Sequence, residues 1–222
     1  MKILFIGNSY TYYNDMPKLF EAMAKENKKE VSVDSVTKGG RKLLENTLES
    51  DENHKTILAL CERNEYDFLI LQEHSWEPIR DFELFKSGVT KLKSLVNPKK
   101  TLLYATWERK TGAPHLSDLD LTSEEMTDVL FEKYSKVKDD IGALISPVGL
   151  AFKYISKNHP KLELYNPDLS HPSYFGSVLA AACHYTTIFE EIPKAMKSLN
   201  VTDKETSAIC DAIKSIKTHL DT

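Results

Sequence analysis

The chain has 222 residues, of which 41% are hydrophobic and 28% charged, a composition typical of a globular protein with one large core. Its net charge of −4 argues against a nucleic-acid-binding surface, because phosphate recognition relies on clustered lysine and arginine. The three cysteines are an odd number without a CxxC spacing, which argues against a disulfide framework or a zinc site.

The location of the protein is predicted from the same features. No apolar run reaches the roughly 20 residues that a membrane helix needs. The apolar run behind Lys2 is too short for a signal peptide. Free thiols are typical of a reducing compartment. We therefore expect a cytoplasmic protein without a membrane partner, provided that no leader has been trimmed from the sequence.

Short apolar runs alternate with amphipathic stretches along the whole chain. The runs predict strands at 3–6, 31–36, 66–71, 101–106 and 162–165. Helical spacing of apolar residues between and after them predicts helices, among them 16–25, 82–95 and 178–188. Strands that alternate with helices indicate a parallel sheet covered on both faces. Because no repeat or linker interrupts the pattern, we predict a single α/β domain over residues 1–222.

Ser9 stands at a point where such sheets bind ligands. Gly7 ends the first apolar run, and Asn14, Asp15 and Pro17 predict the start of a helix. A serine between them lies at the carboxyl end of a strand and near the positive end of a helix. Most serines in such turns are only capping or turn residues. Ser9 is therefore a candidate nucleophile that needs support from other residues.

That support comes from Asp168 and His171, near the other end of the chain. A serine hydroxyl becomes a good nucleophile when a histidine takes its proton and a carboxylate orients the histidine. An aspartate and a histidine three residues apart on one loop can orient each other, and Pro172 favours an extended backbone at His171. Each residue alone is more often structural, but together they favour a catalytic triad with Ser9.

Three segments together resemble the SGNH, or GDSL-like, hydrolases, which are serine esterases and lipases. The segments are GNSYT at 7–11, the glycine pair at 39–40 and DLSHP at 168–172. The resemblance extends over nearly the whole chain and is strongest to a bacterial subgroup of largely uncharacterised esterase-like proteins. With the five predicted strands, it implies a three-layer α/β/α, flavodoxin-like fold with a five-stranded parallel sheet.

The resemblance also implies an oxyanion hole. In this family the backbone N–H groups of the nucleophile and of a glycine after the second strand donate to the oxyanion, which here indicates Ser9 and Gly40, or Gly39. The family's Gly-x-Asn-Asp turn after the third strand is missing, and Gln72 stands at the strand's end. Gln72 carries the same amide donor on a longer side chain, so we predict that it replaces the asparagine. The alternative is that Gln72 satisfies amides of the loop.

Other residues give weaker signals. Tyr10, Trp76 and Trp107 are predicted to line a sugar-binding surface, although large aromatic residues are as often in the core. Glu73 and His74 are not expected to act as an acid–base pair, because neighbours on an extended segment point to opposite faces. The sequence has no GxGxxG, Walker or HxxxH motif, so it predicts no nucleotide, cofactor or metal.

The function predicted from these residues is the hydrolysis of a carboxylic ester through an acyl-enzyme. The resemblance favours a small-molecule substrate, a short acyl group such as acetyl on a carbohydrate. The alternative is a flavodoxin-like or catalytically inactive protein that binds a phosphate-containing ligand or a carbohydrate. Asp168 and His171 separate the two hypotheses, because a phosphate cradle needs no base facing Ser9. The oligomeric state is not predicted.

Overall fold

A parallel sheet forms the centre of the molecule in the computed structural model, which describes residues 1–113 and 116–217. The strand order is β2-β1-β3-β4-β5, and every neighbouring pair is parallel. The strands are β1 (Lys2–Gly7), β2 (Ser32–Thr37), β3 (Phe68–Leu71), β4 (Lys100–Tyr104) and β5 (Leu144–Ser146).

Helices cover both faces of this sheet. They are α1 (Ser9–Tyr12), α2 (Met16–Glu26), α3 (Glu52–Cys61), α4 (Glu77–Arg80), α5 (Phe82–Val96), α6 (Ser123–Ile141), α7 (Val148–Asn158), α8 (Tyr174–Phe189) and α9 (Asp203–Lys217). Short 3₁₀ helices lie at Tyr13–Asp15, Leu43–Thr47, Ser117–Leu119 and Lys197–Leu199. Within the described residues, no helix is long and apolar enough to cross a membrane.

The core is divided into two layers by the alternation of side chains along the strands. On β1, Ile3 and Phe5 face a cluster formed with α2, α7, α8 and α9, whereas Leu4 and Ile6 face a cluster formed with α3, α5 and α6. Both faces of the central strands are therefore buried, which explains their continuous apolar runs. The predicted three-layer α/β/α class with five parallel strands is confirmed.

The strand order places a ligand site at one edge of the sheet. From β1 the chain first adds β2 on one side, and then crosses back over β1 to add β3 on the other side. At such a switch point, the loops that follow the strands diverge and leave a crevice at their carboxyl ends. The loop that carries Ser9 follows β1, so it lies at this crevice.

The predicted fifth strand, at 162–165, is wrong. Its residues pair only through an isolated antiparallel bridge between Tyr165 and Pro172, and the fifth strand is β5 instead. The apolar residues Leu164 and Tyr165 are buried because they pack against the α7 side of the core, not because they extend the sheet. β5 has only three residues, and its first, Leu144, is 36% exposed, which leaves almost no apolar run for the sequence to show.

His184 is buried inside α8, a helix whose residues are buried on nearly every side. Its ring packs edge-on against Tyr104, with centroids 4.3 Å apart, and its exposure is 0%. Within the described residues, neither ring nitrogen has a hydrogen-bond partner. Burial lowers the pKa of His184 to about 3, because the charged ring cannot be solvated there.

This histidine should make the protein sensitive to acid. The unfolded chain binds a proton at His184 below about pH 6.5, whereas the folded chain stays neutral there down to about pH 3. The contribution of His184 to the free energy of unfolding is therefore fully present above pH 6.5 and is lost as the pH falls below it. Between pH 7 and pH 5, urea unfolding should show the wild type losing about 2 kcal/mol more than His184→Phe, which cannot take up the proton. Equal losses in both proteins would contradict this prediction.

Candidate active site

The loop after β1 holds Ser9 in a tight turn. Asn8 caps α1, because its side-chain oxygen accepts a hydrogen bond from the Tyr10 N–H at 3.2 Å. Ser9 is the first residue of α1, so its N–H belongs to the first helical turn, whose amides have no acceptor within the helix. A Cβ on Gly7 would overlap the Thr11 Oγ1 atom, so only glycine fits where β1 ends.

The loop that carries Asp168 and His171 is held by its own backbone. The Asn166 N–H donates to the His171 carbonyl at 2.8 Å, which closes the loop beside the Tyr165–Pro172 bridge. The Asp168 Oδ1 atom accepts hydrogen bonds from the N–H groups of Ser170 and His171, at 3.0 and 2.9 Å. These bonds position the carboxylate independently of the His171 ring.

The structure brings Ser9, His171 and Asp168 together. The Asp168 Oδ2 and His171 Nδ1 atoms are 2.6 Å apart, and the His171 Nε2 and Ser9 Oγ atoms are 2.8 Å apart. With the proton on Nδ1, the imidazole donates to the carboxylate and accepts from the serine hydroxyl, as a general base requires. Burial raises the pKa of Asp168, but hydrogen bonds from the His171 ring and from two backbone amides outweigh it and lower the pKa.

Two tyrosines hold the His171 ring in place. The Tyr13 ring stacks on it with centroids 4.3 Å apart and an angle of 12°, and the Tyr10 ring meets it edge-on at 5.5 Å. Tyr13 precedes Asn14 and Asp15, which both have positive φ angles. The Asn14 side chain donates to the Pro172 carbonyl at 3.2 Å and so ties this turn to the histidine loop.

The sequence pattern did not single out Tyr13, and it marked Asn14 and Asp15 only as capping residues. Asp15 occupies the N-cap of α2 without a side-chain cap bond, and the Asn14 amide points to the histidine loop instead. A signal was present, because adjacent asparagine and aspartate are the non-glycine residues that most often adopt positive φ. Such a pair indicates a sharp reversal of the chain rather than a simple helix start.

The predicted sugar-binding role of Tyr10 and Trp107 disagrees with their positions. Their rings stack at 4.6 Å inside the core, and their exposures are 4% and 0%. Both support the loop that carries Asp168 and His171 instead: the Tyr10 hydroxyl lies 2.6 Å from the Ser170 Oγ atom, and the Trp107 indole N–H donates to the Ser170 carbonyl at 3.0 Å. Aromatic rings packed this tightly leave no surface for a sugar.

Trp76 is partly buried at the N-cap of α4. The Arg109 guanidinium carbon lies 4.3 Å from the centroid of its ring, a cation–π distance. This face of the indole is therefore already covered by a side chain. A role for Trp76 in substrate binding stays a prediction.

Gln72 is not placed as an oxyanion donor, and the structure favours the alternative role in the loop. Its Oε1 atom accepts hydrogen bonds from the Asn8 N–H at 2.8 Å and from the Thr11 hydroxyl at 2.9 Å. Its Nε2 group donates to the Glu73 carbonyl, and its exposure is 1%. Because the amide oxygen binds the Ser9 loop and one N–H of Nε2 binds the Glu73 carbonyl, the contacts of the longer side chain favour support of the Ser9 backbone.

Replacing Gln72 with leucine tests this structural role. Leucine keeps the approximate volume but leaves the buried Asn8 N–H without an acceptor, so we expect a loss of about 1–3 kcal/mol in the free energy of unfolding. Thr11→Val removes only one of the two hydrogen bonds to Oε1 and should cost less. Urea unfolding measures both. Removal of an oxyanion-hole donor typically lowers kcat by about 10²–10³-fold. A loss of kcat of that size in Gln72→Leu, with unchanged stability, would instead indicate that Gln72 is such a donor.

The glycine pair lies in a turn beside Ser9. The Arg41 N–H donates to the Lys38 carbonyl at 3.2 Å, and Gly40 has a φ of +67°, which favours glycine. The Asn8 side chain donates to the Arg41 carbonyl at 3.0 Å and fastens this turn to the Ser9 loop. The role of Gly40, or Gly39, as a backbone donor to an oxyanion stays a proposal.

Glu73 links the two loops on either side of Ser9, a role that the sequence pattern did not predict. Its carboxyl group accepts hydrogen bonds from the Leu43 N–H at 3.1 Å and the His74 N–H at 2.6 Å, and its exposure is 0%. Burial raises the pKa of Glu73 to about 8. An acidic residue two positions after the fully apolar strand β3 was the available signal, since the strand end itself is buried.

Comparison with known proteins supports the same fold and class. A protein from Slackia heliotrinireducens assigned to the SGNH hydrolases is 29% identical, with a TM-score of 0.72, over 85% of this chain and 98% of its own. A DUF4886 family protein from Bacteroides uniformis is 16% identical with a TM-score of 0.82, over 100% and 96%. An acetyl xylan esterase is 16% identical with a TM-score of 0.61, over 85% and 100%.

No protein-family model and no curated protein matches the chain. The fold and the structural likenesses nevertheless define its class, a hydrolase on a flavodoxin-like sheet. The likeness to the Slackia protein, together with the fold, supports the SGNH, or GDSL-like, family. The predicted family and enzyme class are therefore confirmed.

Proposed function

We propose that this chain is a serine esterase in which Ser9, His171 and Asp168 form the catalytic triad. The observation that carries the proposal is the pair of contacts at His171, 2.8 Å to the Ser9 Oγ atom and 2.6 Å to the Asp168 Oδ2 atom. A serine and histidine from opposite ends of a chain have no structural need to meet in this orientation. A phosphate-binding loop would not require a base facing the serine, so the geometry favours the enzyme over the binding protein.

The first half of the reaction forms an acyl-enzyme. His171 Nε2 takes the Ser9 hydroxyl proton while Oγ attacks the ester carbonyl carbon, whose π electrons move onto the carbonyl oxygen. The N–H groups of Ser9 and Gly40 donate to the resulting oxyanion. When the tetrahedral intermediate collapses, the bond to the alcohol oxygen breaks and His171 gives its proton to that oxygen.

The second half releases the acid. His171 removes a proton from a water molecule, which attacks the acyl carbon, and the proton then returns to the Ser9 oxygen as it leaves. Asp168 stays ionised throughout and stabilises the imidazolium that forms in both halves. The lowered pKa of Asp168 supports this role, because the carboxylate keeps its charge at neutral pH.

A short acyl group on a carbohydrate is the substrate that we propose. The support is the likeness to an acetyl xylan esterase and to an acetyl-xylooligosaccharide esterase from Geobacillus stearmophilus. These two esterases share the fold of this chain at 16% and 14% sequence identity, and a direct assay tests the substrate.

A panel of esters tests the function. We expect p-nitrophenyl acetate to give a higher kcat/KM than the butyrate and octanoate esters, and xylose tetraacetate to release acetate. The substrate proposal fails if the octanoate ester is preferred. The esterase proposal fails if purified protein hydrolyses none of these esters.

A further inference from the structure

Tyr12 is an exposed aromatic residue beside the catalytic serine. It lies three residues after Ser9 on α1, so both side chains project from the same face of this helix. Tyr12 is 42% exposed, and, within the described residues, its hydroxyl has no hydrogen-bond partner. The other large exposed apolar residues of the described chain lie outside α1: Met1, Leu48, Leu58, Leu144 and Tyr174.

The surroundings of Tyr12 hold its ring at the proposed oxyanion loop. A Cβ on Gly39 would lie 3.1 Å from the Tyr12 hydroxyl oxygen, so the ring reaches to the glycine pair. The Tyr13 ring stacks against the Tyr12 ring at 5.7 Å and 22°, and Tyr13 in turn stacks on His171. The three rings form a continuous layer that leads from the solvent to the catalytic base.

We propose that Tyr12 is the stacking platform for the pyranose ring that carries the acyl group. This proposal rests on the esterase function proposed above. A sugar ring presents C–H groups on its faces, which pack well on an aromatic ring, and hydroxyl groups at its edge, which the Tyr12 hydroxyl can bind. The absence of a side chain at Gly39 leaves room for the Tyr12 hydroxyl beside the glycine pair.

The aromatic residues first predicted for this role are less suitable. Tyr10 and Trp107 are buried in the core, and Trp76 is half-buried with the Arg109 guanidinium against its ring, whereas Tyr12 is exposed. Tyr12 combines exposure with a position one helical turn from the nucleophile. The ring therefore acts on the alcohol half of the ester, which sets selectivity rather than the chemical step.

The test compares two acetyl esters that differ in their alcohol. Xylose tetraacetate can stack on Tyr12, whereas the ethyl group of ethyl acetate is too small to cover an aromatic ring. We expect Tyr12→Ala to lower the ratio of kcat/KM for the sugar ester over ethyl acetate at least tenfold. Tyr12→Phe should keep most of this ratio, because the ring remains. Leu58→Ala, which truncates an exposed residue on α3, should leave the activity on both esters unchanged. An unchanged ratio in Tyr12→Ala would overturn the proposal.

Binding to inactive protein separates this inference from the esterase proposal. Titration calorimetry should show xylose tetraacetate binding to Ser9→Ala at least tenfold more tightly than to the double variant with Tyr12→Ala. Equal affinities, or no binding to Ser9→Ala, would overturn the platform. If the wild type hydrolyses neither ester but the affinities differ as expected, the esterase proposal fails and the sugar platform stands.

Discussion

Ser9→Ala should lower kcat on p-nitrophenyl acetate by about four to six orders of magnitude, because it removes the oxygen that we propose forms the acyl-enzyme. The substitution removes one oxygen atom, and with it the hydrogen bond between that oxygen and His171. We therefore expect the fold to remain, with a urea midpoint close to that of the wild type.

Ser94 offers a matched control for this experiment. It is an exposed serine on α5, far along the chain from the triad residues, and Ser94→Ala should keep full activity. Turnover by Ser9→Ala within tenfold of the wild type would remove Ser9 from the mechanism. Any residual rate must be compared with that of a mock purification, since a trace of host esterase can exceed the expected activity.

Asp168→Asn should lower kcat about 10⁴-fold while leaving the loop in place, the size of loss that an orienting aspartate typically shows. The asparagine oxygen can still accept the hydrogen bonds from Ser170 and His171 that Oδ1 receives. Its amide group, however, would donate toward His171 Nδ1. The ring would then carry its proton on Nε2 and could not accept the proton of Ser9.

The control for charge is Asp211→Asn, which neutralises an exposed carboxylate on α9 paired with Lys214 at 3.4 Å. It should leave kcat unchanged, because exposed pairs of this kind contribute little and the site is not involved. A kcat for Asp168→Asn within tenfold of the wild type would show that Asp168 does not orient the imidazole.

The strands that build the sheet could be predicted where they are buried on both faces. β1 and β3 read as continuous apolar runs, and around the start of β2 Val31 and Val33 alternate with polar residues, as in an edge strand. β5 could not be predicted, because three residues after a helix C-cap give no period to detect. Residues 162–165 suggested a strand because their apolar residues are buried for a different reason, packing beside α7.

The candidate site divides in the same way. The sequence could indicate Ser9, Asp168 and His171 because residue type and spacing together are typical of a catalytic triad. The fold then brings the three side chains within hydrogen-bond distance. The orientation of Gln72 could not be foreseen, since an amide can face either a ligand or the backbone. The hydrogen bonds from Asn8 and Thr11 to its oxygen show that the amide faces the Ser9 loop.

The aromatic residues show why exposure is the hardest property to predict from a sequence. Tyr10 and Tyr12 are two residues apart, yet Tyr10 is 4% exposed and Tyr12 is 42% exposed, because they lie on different faces of a helix of only four residues. A helix this short has no apolar period that marks its buried face. The residue suited to contact a ligand therefore emerges only from the folded chain.

The most direct test of the account is to find where a fluorophosphonate reacts. This reagent phosphonylates an activated serine, and the tryptic peptide 3–18 contains Ser9 as its one serine. We predict a single adduct, on that peptide and at Ser9, which disappears in Ser9→Ala and is strongly slowed in Asp168→Asn. An adduct on another peptide, or equal labelling of the wild type and Ser9→Ala, would contradict the central claim that Ser9 is the nucleophile.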